Sequence, residues 1–173
     1  MDPGTPLLTS SSDDSFADDS TTRRSTEGYL FQLFGGPIDW RCIKQKTVTM
    51  STTEAELLAL SHTAKELFWW ERFYRGIQLD LDQDYQIYCD NLQTVGLMLK
   101  ETPKLVTKLK HVDIHNHWLR QEVSHENIQI QWISTTEMPA DGLTKALTRQ
   151  KHETFIRQLN MVDIGSLFQR KLT

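Results

Sequence analysis

Residues 27–67, EGYLFQLFGGPIDWRCIKQKTVTMSTTEAELLALSHTAKEL, change their period midway, and that change decides the fold. Glu27–Phe34 is apolar and aromatic and predicts a strand. Gly35-Gly36-Pro37 makes a turn. Ile38–Lys44 then alternates apolar with polar side chains, so a second strand returns beside the first as a hairpin. From Ser51 onward the period is helical. Ser51-Thr52-Thr53-Glu54 is a capping box, with Ser51 as N-cap and Glu54 three residues on. Leu57, Leu60, Ala64 and Leu67 follow on one face, and the spacing carries the helix towards Tyr74, with Gly76 as its stop.

Upstream of this stretch, Leu7–Asp13 predicts a short first strand, weakened by Ser10, Ser11 and Ser12, and residues 14–27 read as a polar loop. Downstream, Tyr85–Cys89 is a strand with Tyr85, Ile87 and Cys89 on one face and Asp90 at its end. Asn91–Lys100 is a helix ended by Thr102-Pro103. His111–Ser124 is a second helix, with Ile114, Trp118 and Leu119 turned inward. Asn127–Ile133 alternates strictly and is a strand. Pro139 opens a short helix through Ala146, and a last helix spans Gln150–Met161. Strands that open as antiparallel hairpins and later alternate with helices define an α/β sheet with parallel crossovers.

The chain has 173 residues, 38% hydrophobic and 24% charged, which suits a domain with its own core. No apolar run approaches the roughly 18 residues of a membrane span, and the polar, acidic start predicts no secretory leader. Cys42 and Cys89 form no C-x-x-C pair, so they read as reduced core or strand residues. The formal net charge is −4. A protein that held nucleic acid by phosphate neutralisation alone would be basic. The acidity fits either a protein that never touches nucleic acid or an acidic site whose bound cations reverse the local field.

Four acids stand where such a site forms. Asp13 ends the first strand, Glu56 borders the buried face of the long helix, Asp90 ends the fourth strand, and Asp141 lies in the first turn after Pro139. Strand ends and helix starts gather at one rim of an open α/β sheet. Carboxylates converging there repel one another until cations join them, and an all-oxygen set selects magnesium or manganese. Two such ions clamp a phosphate, so the reaction class is phosphodiester hydrolysis. Each acid alone reads more readily as a solvated cap. Glu54 is explained by its capping box, Asp18 and Asp19 by their loop, and Asp80, Asp82 and Asp84 by a solvated connection without the Gly and Glu of a calcium loop.

The motifs around these acids carry a resemblance. RRSTEGY at 23–29, GGPI at 35–38, STTEAE at 51–56, YCDN at 88–91 and ADGLTK at 140–145, in this order over about residues 12–162, resemble the ribonuclease H domain of copia-type LTR retrotransposon Pol polyproteins. The resemblance implies a ribonuclease H-like fold, a mixed five-stranded sheet with its first three strands antiparallel, flanked by helices. It implies a domain over 13–162, preceded by a segment 1–12 with the weak strand and followed by a tail, 163–173. It places the catalytic, metal-binding acids on Asp13, Glu56, Asp90 and Asp141, and it selects Asp13 over Asp14. The implied cofactors are two Mg2+ ions, with Mn2+ as a substitute. The implied partners are an RNA–DNA hybrid and a reverse transcriptase domain N-terminal to this one in the parent polyprotein, in the cytoplasmic particle of the element or in the nucleus. Ser15 stands where the family has a second Asp, and the loop Ser134–Pro139 holds Glu137 but no His.

For the hybrid, Arg23, Arg24, Lys44, Lys46, Lys104, Lys108, Lys110 and His111 are the phosphate-contact candidates. Ser25, Asn91 and Gln93 are the minor-groove donors. The dense aromatics Phe68, Trp69, Trp70, Phe73 and Tyr74 exceed one helical face; Phe68 and one Trp are assigned to the core. His115 and His117 lie two apart on a helix, which argues against a shared metal. The competing readings are a catalytically impaired remnant of the same fold that only binds, another enzyme of this fold such as an integrase, and a protein–protein adaptor. Whether Asp13 reaches the other three acids discriminates the first.

Overall fold

A computed structural model describes residues 7–79, 81, 85–99, 110–125 and 127–165, without the side chain of His111. Asp80, Asp82, Asp84, Lys104 and Lys108 lie outside the described residues. Five strands, β1 (Leu8–Ser15), β2 (Thr26–Leu33), β3 (Gly36–Lys44), β4 (Gln86–Cys89) and β5 (Gln129–Trp132), form one sheet in the order β3-β2-β1-β4-β5. β1, β2 and β3 pair antiparallel, and β4 and β5 join parallel to β1. The helices are α1 (Thr52–Gly76), α2 (Leu92–Leu99), α3 (Lys110–Ser124), α4 (Asp141–Thr144) and α5 (Arg149–Gln158). This is the mixed sheet flanked by helices that the sequence implies.

β1 is stronger than its sequence suggests. It runs two residues beyond the expected end and lies at the centre of the sheet, paired on both edges. Ser10, Ser11 and Ser12 are buried, and Ser10 Oγ donates to Gln86 O at 2.6 Å. Strand propensity depends on the neighbours. Here β2 and β4 supply both hydrogen-bond ladders, and the small Ser10 and Ser12 fit on the face that α1 covers.

The capping box forms with a one-residue offset. Ser51 Oγ accepts from Glu54 N at 3.2 Å, while Glu54 Oε2 accepts from Met50 N at 2.7 Å rather than from the cap itself. α1 then buries Leu57, Leu60, Ala64 and Leu67 against Phe31, Leu8 and Ile87, which form the core with Cys89, Leu119 and Ile130. The helix does not stop before Gly76. Gly76 is its last residue, and the left-handed position falls on Gln78, φ 58°.

α3 departs from the expected face. Ile114 is 68% exposed, whereas Val112 and Leu119 are fully buried. Val112, Asn116, Leu119 and Val123 recur at helical spacing, and Ile114, two positions from Val112, projects elsewhere. Trp118 sits edge-on to Phe68, 6.1 Å between centroids. Of the aromatics on α1, Tyr74 is buried and Phe68 and Trp70 are half-buried. Trp69 and Phe73 are exposed and stack on each other at 5.5 Å. Cys89 is buried and Cys42 is an exposed strand residue. Among the described residues no helix is long and apolar enough to cross a membrane.

Candidate metal centre

Asp13 and Asp14 are chain neighbours on a strand, so they project from opposite faces of the sheet. Asp13 opposes Gly28 of β2 on the face covered by α4. Gly28 is required there, because a Cβ would lie 2.8 Å from Thr144 Cγ2 and 3.3 Å from Leu143 Cβ. The missing side chain lets α4 lie on β2 and brings Asp141 up to β1. α4 spans Asp141–Thr144, shorter than expected at both ends, with Ala140 as N-cap.

Asp90 follows β4. Its Oδ2 accepts from Thr135 Oγ1 at 2.8 Å, and its backbone carbonyl accepts from Trp132 Nε1 at 3.0 Å. The parallel pairing of β1 with β4 sets Asp90 beside Asp13. Asp13, Asp90 and Asp141 each bring a carboxylate oxygen into one group, all within 4.8 Å of one another.

Asp13 is fully buried, and burial pushes its carboxyl up to about 6, against the pull of Lys145 and a hydrogen bond from Thr144. Lys145 Nζ lies 3.2 Å from Asp13 Oδ1 and also bonds Asp141 Oδ1. These carboxylates and attraction from both acids hold its ammonium above the usual lysine range, despite the opposing effect of burial. Neither Thr144 nor Lys145 was found from sequence. Both belong to ADGLTK, and the i,i+4 spacing of Asp141 and Lys145 was the available signal.

Glu56 does not join the group of three. It is buried on the α1 side, where its carboxyl shares a hydrogen bond with that of Asp14. Burial, then the negative charges of Asp14, Asp13 and Asp90, hold Glu56 well above the carboxylate range. Among the described residues, Glu56 Oε2 and Asp14 Oδ2 are buried with no hydrogen-bond partner. Two buried carboxyls in contact cannot both ionise without an added positive charge. Asp14, which the resemblance set aside in favour of Asp13, is thus the partner of Glu56.

The donor set is entirely oxygen and partly buried, and the orphaned acceptors of Glu56 and Asp14 lie near it. It fits a hard divalent cation such as magnesium or manganese. Asp13, Asp90 and Asp141 would hold it, with Glu56 and Asp14 behind them.

The surrounding polar residues divide. Ser25 is a correction: it is fully buried, its Oγ accepting from Ala17 N at 3.0 Å, and it offers no surface to a nucleic acid. Asn91 Oδ1 caps α2 by accepting from Gln93 N and Thr94 N, each at 3.0 Å. Gln93 is exposed and accepts from Thr53 Oγ1 at 3.2 Å. Lys44 pairs with Asp18 at 2.6 Å. Arg23, Lys46 and Lys110 are exposed, and Arg24 is half-exposed. Lys108 and the side chain of His111 fall outside the described residues.

Sheet order, the three-plus-two pairing and an acidic rim fed by β1, β4 and α4 define a ribonuclease H-like domain. Solved structures agree on the fold. The RNase H1 of Halobacterium salinarum NRC-1 superposes with TM-score 0.53 at 12% identity, over 79% of this chain and 92% of that one. LC11-RNase H1, solved in complex with RNA/DNA hybrid, gives 0.57 at 16% identity over the same shares. The protease–reverse transcriptase of prototype foamy virus gives 0.55 at 13% identity, over 92% of this chain and 22% of that one. No protein-family model matches the chain. In sequence it is 39% identical over 148 residues to the retrovirus-related Pol polyprotein from transposon TNT 1-94 of Nicotiana tabacum, and 32% identical over 153 residues to that of transposon RE2 of Arabidopsis thaliana. These alignments take in 86% and 88% of the chain but only 11% and 10% of the relatives, about a tenth of their length. The chain is a ribonuclease H-like segment homologous to the Pol polyproteins of copia-type transposons.

Proposed function

We propose that this chain is a metal-dependent ribonuclease that cuts the RNA strand of an RNA–DNA hybrid during reverse transcription of a copia-type element. The observation that carries the reading is the meeting of Asp13, Asp90 and Asp141, drawn from positions 13, 90 and 141 of the sequence, within 4.8 Å. Asp13 reaches Asp90 and Asp141 from a central, doubly paired strand, while the fourth expected acid, Glu56, stands apart with Asp14.

Divalent cations bound there would activate a water and stabilise the leaving oxygen of a phosphodiester. The chain's own residues prepare that place. Thr144 and Thr135 orient Asp13 and Asp90. Asp14 and Glu56 share a buried proton behind the rim until positive charge arrives. Arg23, Arg24, Lys46 and Lys110 stand exposed as phosphate contacts, and recognition by shape and 2′-OH groups makes the cutting sequence-tolerant. The partner proposed is a reverse transcriptase domain of the same polyprotein, by analogy with the protease–reverse transcriptase of prototype foamy virus.

The test uses purified protein with Mg2+ or Mn2+, a labelled RNA–DNA hybrid and double-stranded DNA of the same sequence. RNA in the hybrid is cut and the DNA duplex spared, while Asp90→Asn stays folded and loses the cutting. Equal cleavage by the wild type and Asp90→Asn overturns the reading, as does a wild type inert towards hybrids with both metals.

A further inference from the structure

We propose that Lys145 is a built-in counter-cation, which occupies the place of a divalent ion among the rim carboxylates and must leave for that ion to bind. This rests on the metal-site reading above and adds to it a residue that sets how readily the site loads.

Lys145 Nζ bonds Asp141 Oδ1 and lies 3.2 Å from Asp13 Oδ1. The carboxylates it bridges are two of the three that converge within 4.8 Å. Their side chains are 1% and 11% exposed, so water screens them little. An ammonium at that point neutralises part of the charge of that cluster. It also excludes a dication. Both ions need the same carboxylate oxygens, and at a separation of a few ångströms their repulsion is weakly screened.

The side chain is placed to leave. It is 35% exposed, unlike the two acids it holds. Its backbone has left α4 for an extended conformation, φ −123° and ψ 146°, while its N–H still closes the helix on Asp141 O at 3.2 Å. The four-carbon stem can therefore swing into solvent without disturbing the turn that carries Asp141. Loading is an exchange of one internal positive charge for an external one.

The experiment measures Mn2+ binding by calorimetry at one fixed pH, on the full chain as wild type, Lys145→Gln, Asp90→Asn and the double variant. Lys145→Gln is expected to bind Mn2+ about tenfold more tightly than the wild type, the effect of removing one competing ion pair. Its metal-free melting temperature is expected to fall. Asp90→Asn is expected to abolish binding in both backgrounds. A second measurement needs only the folded wild type. The slowly exchanging 1H–15N signal of the Lys145 ammonium, assigned by its loss in Lys145→Arg, is expected to vanish as Mg2+ is added. Unchanged or weaker Mn2+ binding in Lys145→Gln, or a Lys145 signal that persists at saturating Mg2+, overturns the exchange while the Asp90 dependence leaves the site standing. If neither the wild type nor Lys145→Gln binds Mn2+, the metal-site reading itself fails and the exchange with it.

Discussion

Asp14 and Glu56 show what a buried acidic pair does to a fold when no cation neutralises it. Burial raises Asp13 from 3.8 to about 6, and it raises Asp14 and Glu56 as well. The folded protein therefore holds these protons more tightly than the unfolded chain does. Stability follows the difference in bound protons, so it falls as pH rises through the window from 3.8 to about 6 for Asp13. Metal-free protein melted in EDTA should be more stable near the lower end of that window than at pH values above it; a midpoint that climbs instead would contradict the burial of these charges. The same physics predicts that Glu56→Gln stabilises the metal-free protein, because a neutral amide replaces one of two competing acids. A rise of roughly 2–8 °C corresponds to about 1–2 kcal/mol in a domain of this size, and differential scanning calorimetry reads it directly. Metal affinity should drop in the same variant. At this scale the sequence disclosed the types of acid and their order. It did not disclose that Glu56 meets Asp14, or that Lys145 and Thr144 meet Asp13, since those contacts join residues 42, 132 and 131 positions apart.

At the scale of elements, the packing of α4 on β2 decides whether the rim is complete. Gly28 is the point of contact, with Thr144, Arg41 O and Leu143 all closer than a Cβ tolerates comfortably. Gly28→Ala should push α4 outward. The expected cost is about 1–3 kcal/mol of stability, typical of overpacking, together with weaker Mn2+ binding, because Asp141 moves with the helix. Chemical denaturation and calorimetry check the two parts separately, and wild-type values for both would remove Gly28 from the account. The hairpin and α1 were legible because their signals are local: a turn at Gly35-Gly36, a period of two becoming 3.6, and a cap at Ser51. β1 was only half legible. Its serine-rich run carries little strand propensity of its own, and its place at the centre of the sheet comes from the ladders offered by β2 and β4. Ile114 misled for the converse reason: an apolar letter on α3 says nothing about which face the neighbouring α1 covers.

For the whole molecule, the net charge of −4 and the acidic rim point the same way. A domain that concentrates carboxylates at one edge gains stability from any cation that binds its folded form alone. At Mn2+ concentrations about 100 times the dissociation constant the gain is about 2.7 kcal/mol, or a rise of roughly 5–10 °C in melting temperature. Thermal scans with and without Mn2+ should show that rise in the wild type and none in Asp90→Asn. An equal rise in both would mean the cation binds elsewhere.

Patterning along the chain sufficed for the α/β class, the hairpin, the long capped helix, and the identity of four acids at element ends. Those features depend on residues near one another in sequence, where period, cap and turn chemistry act directly. The tertiary structure alone decided that Asp13, Asp90 and Asp141 form one group while Glu56 pairs with Asp14, that Lys145 lies between two of the acids, and that Ser25 is buried. Strand pairing and the close approach of α4 over Gly28 bring those side chains together across the sheet, and no local signal encodes a contact made between distant segments.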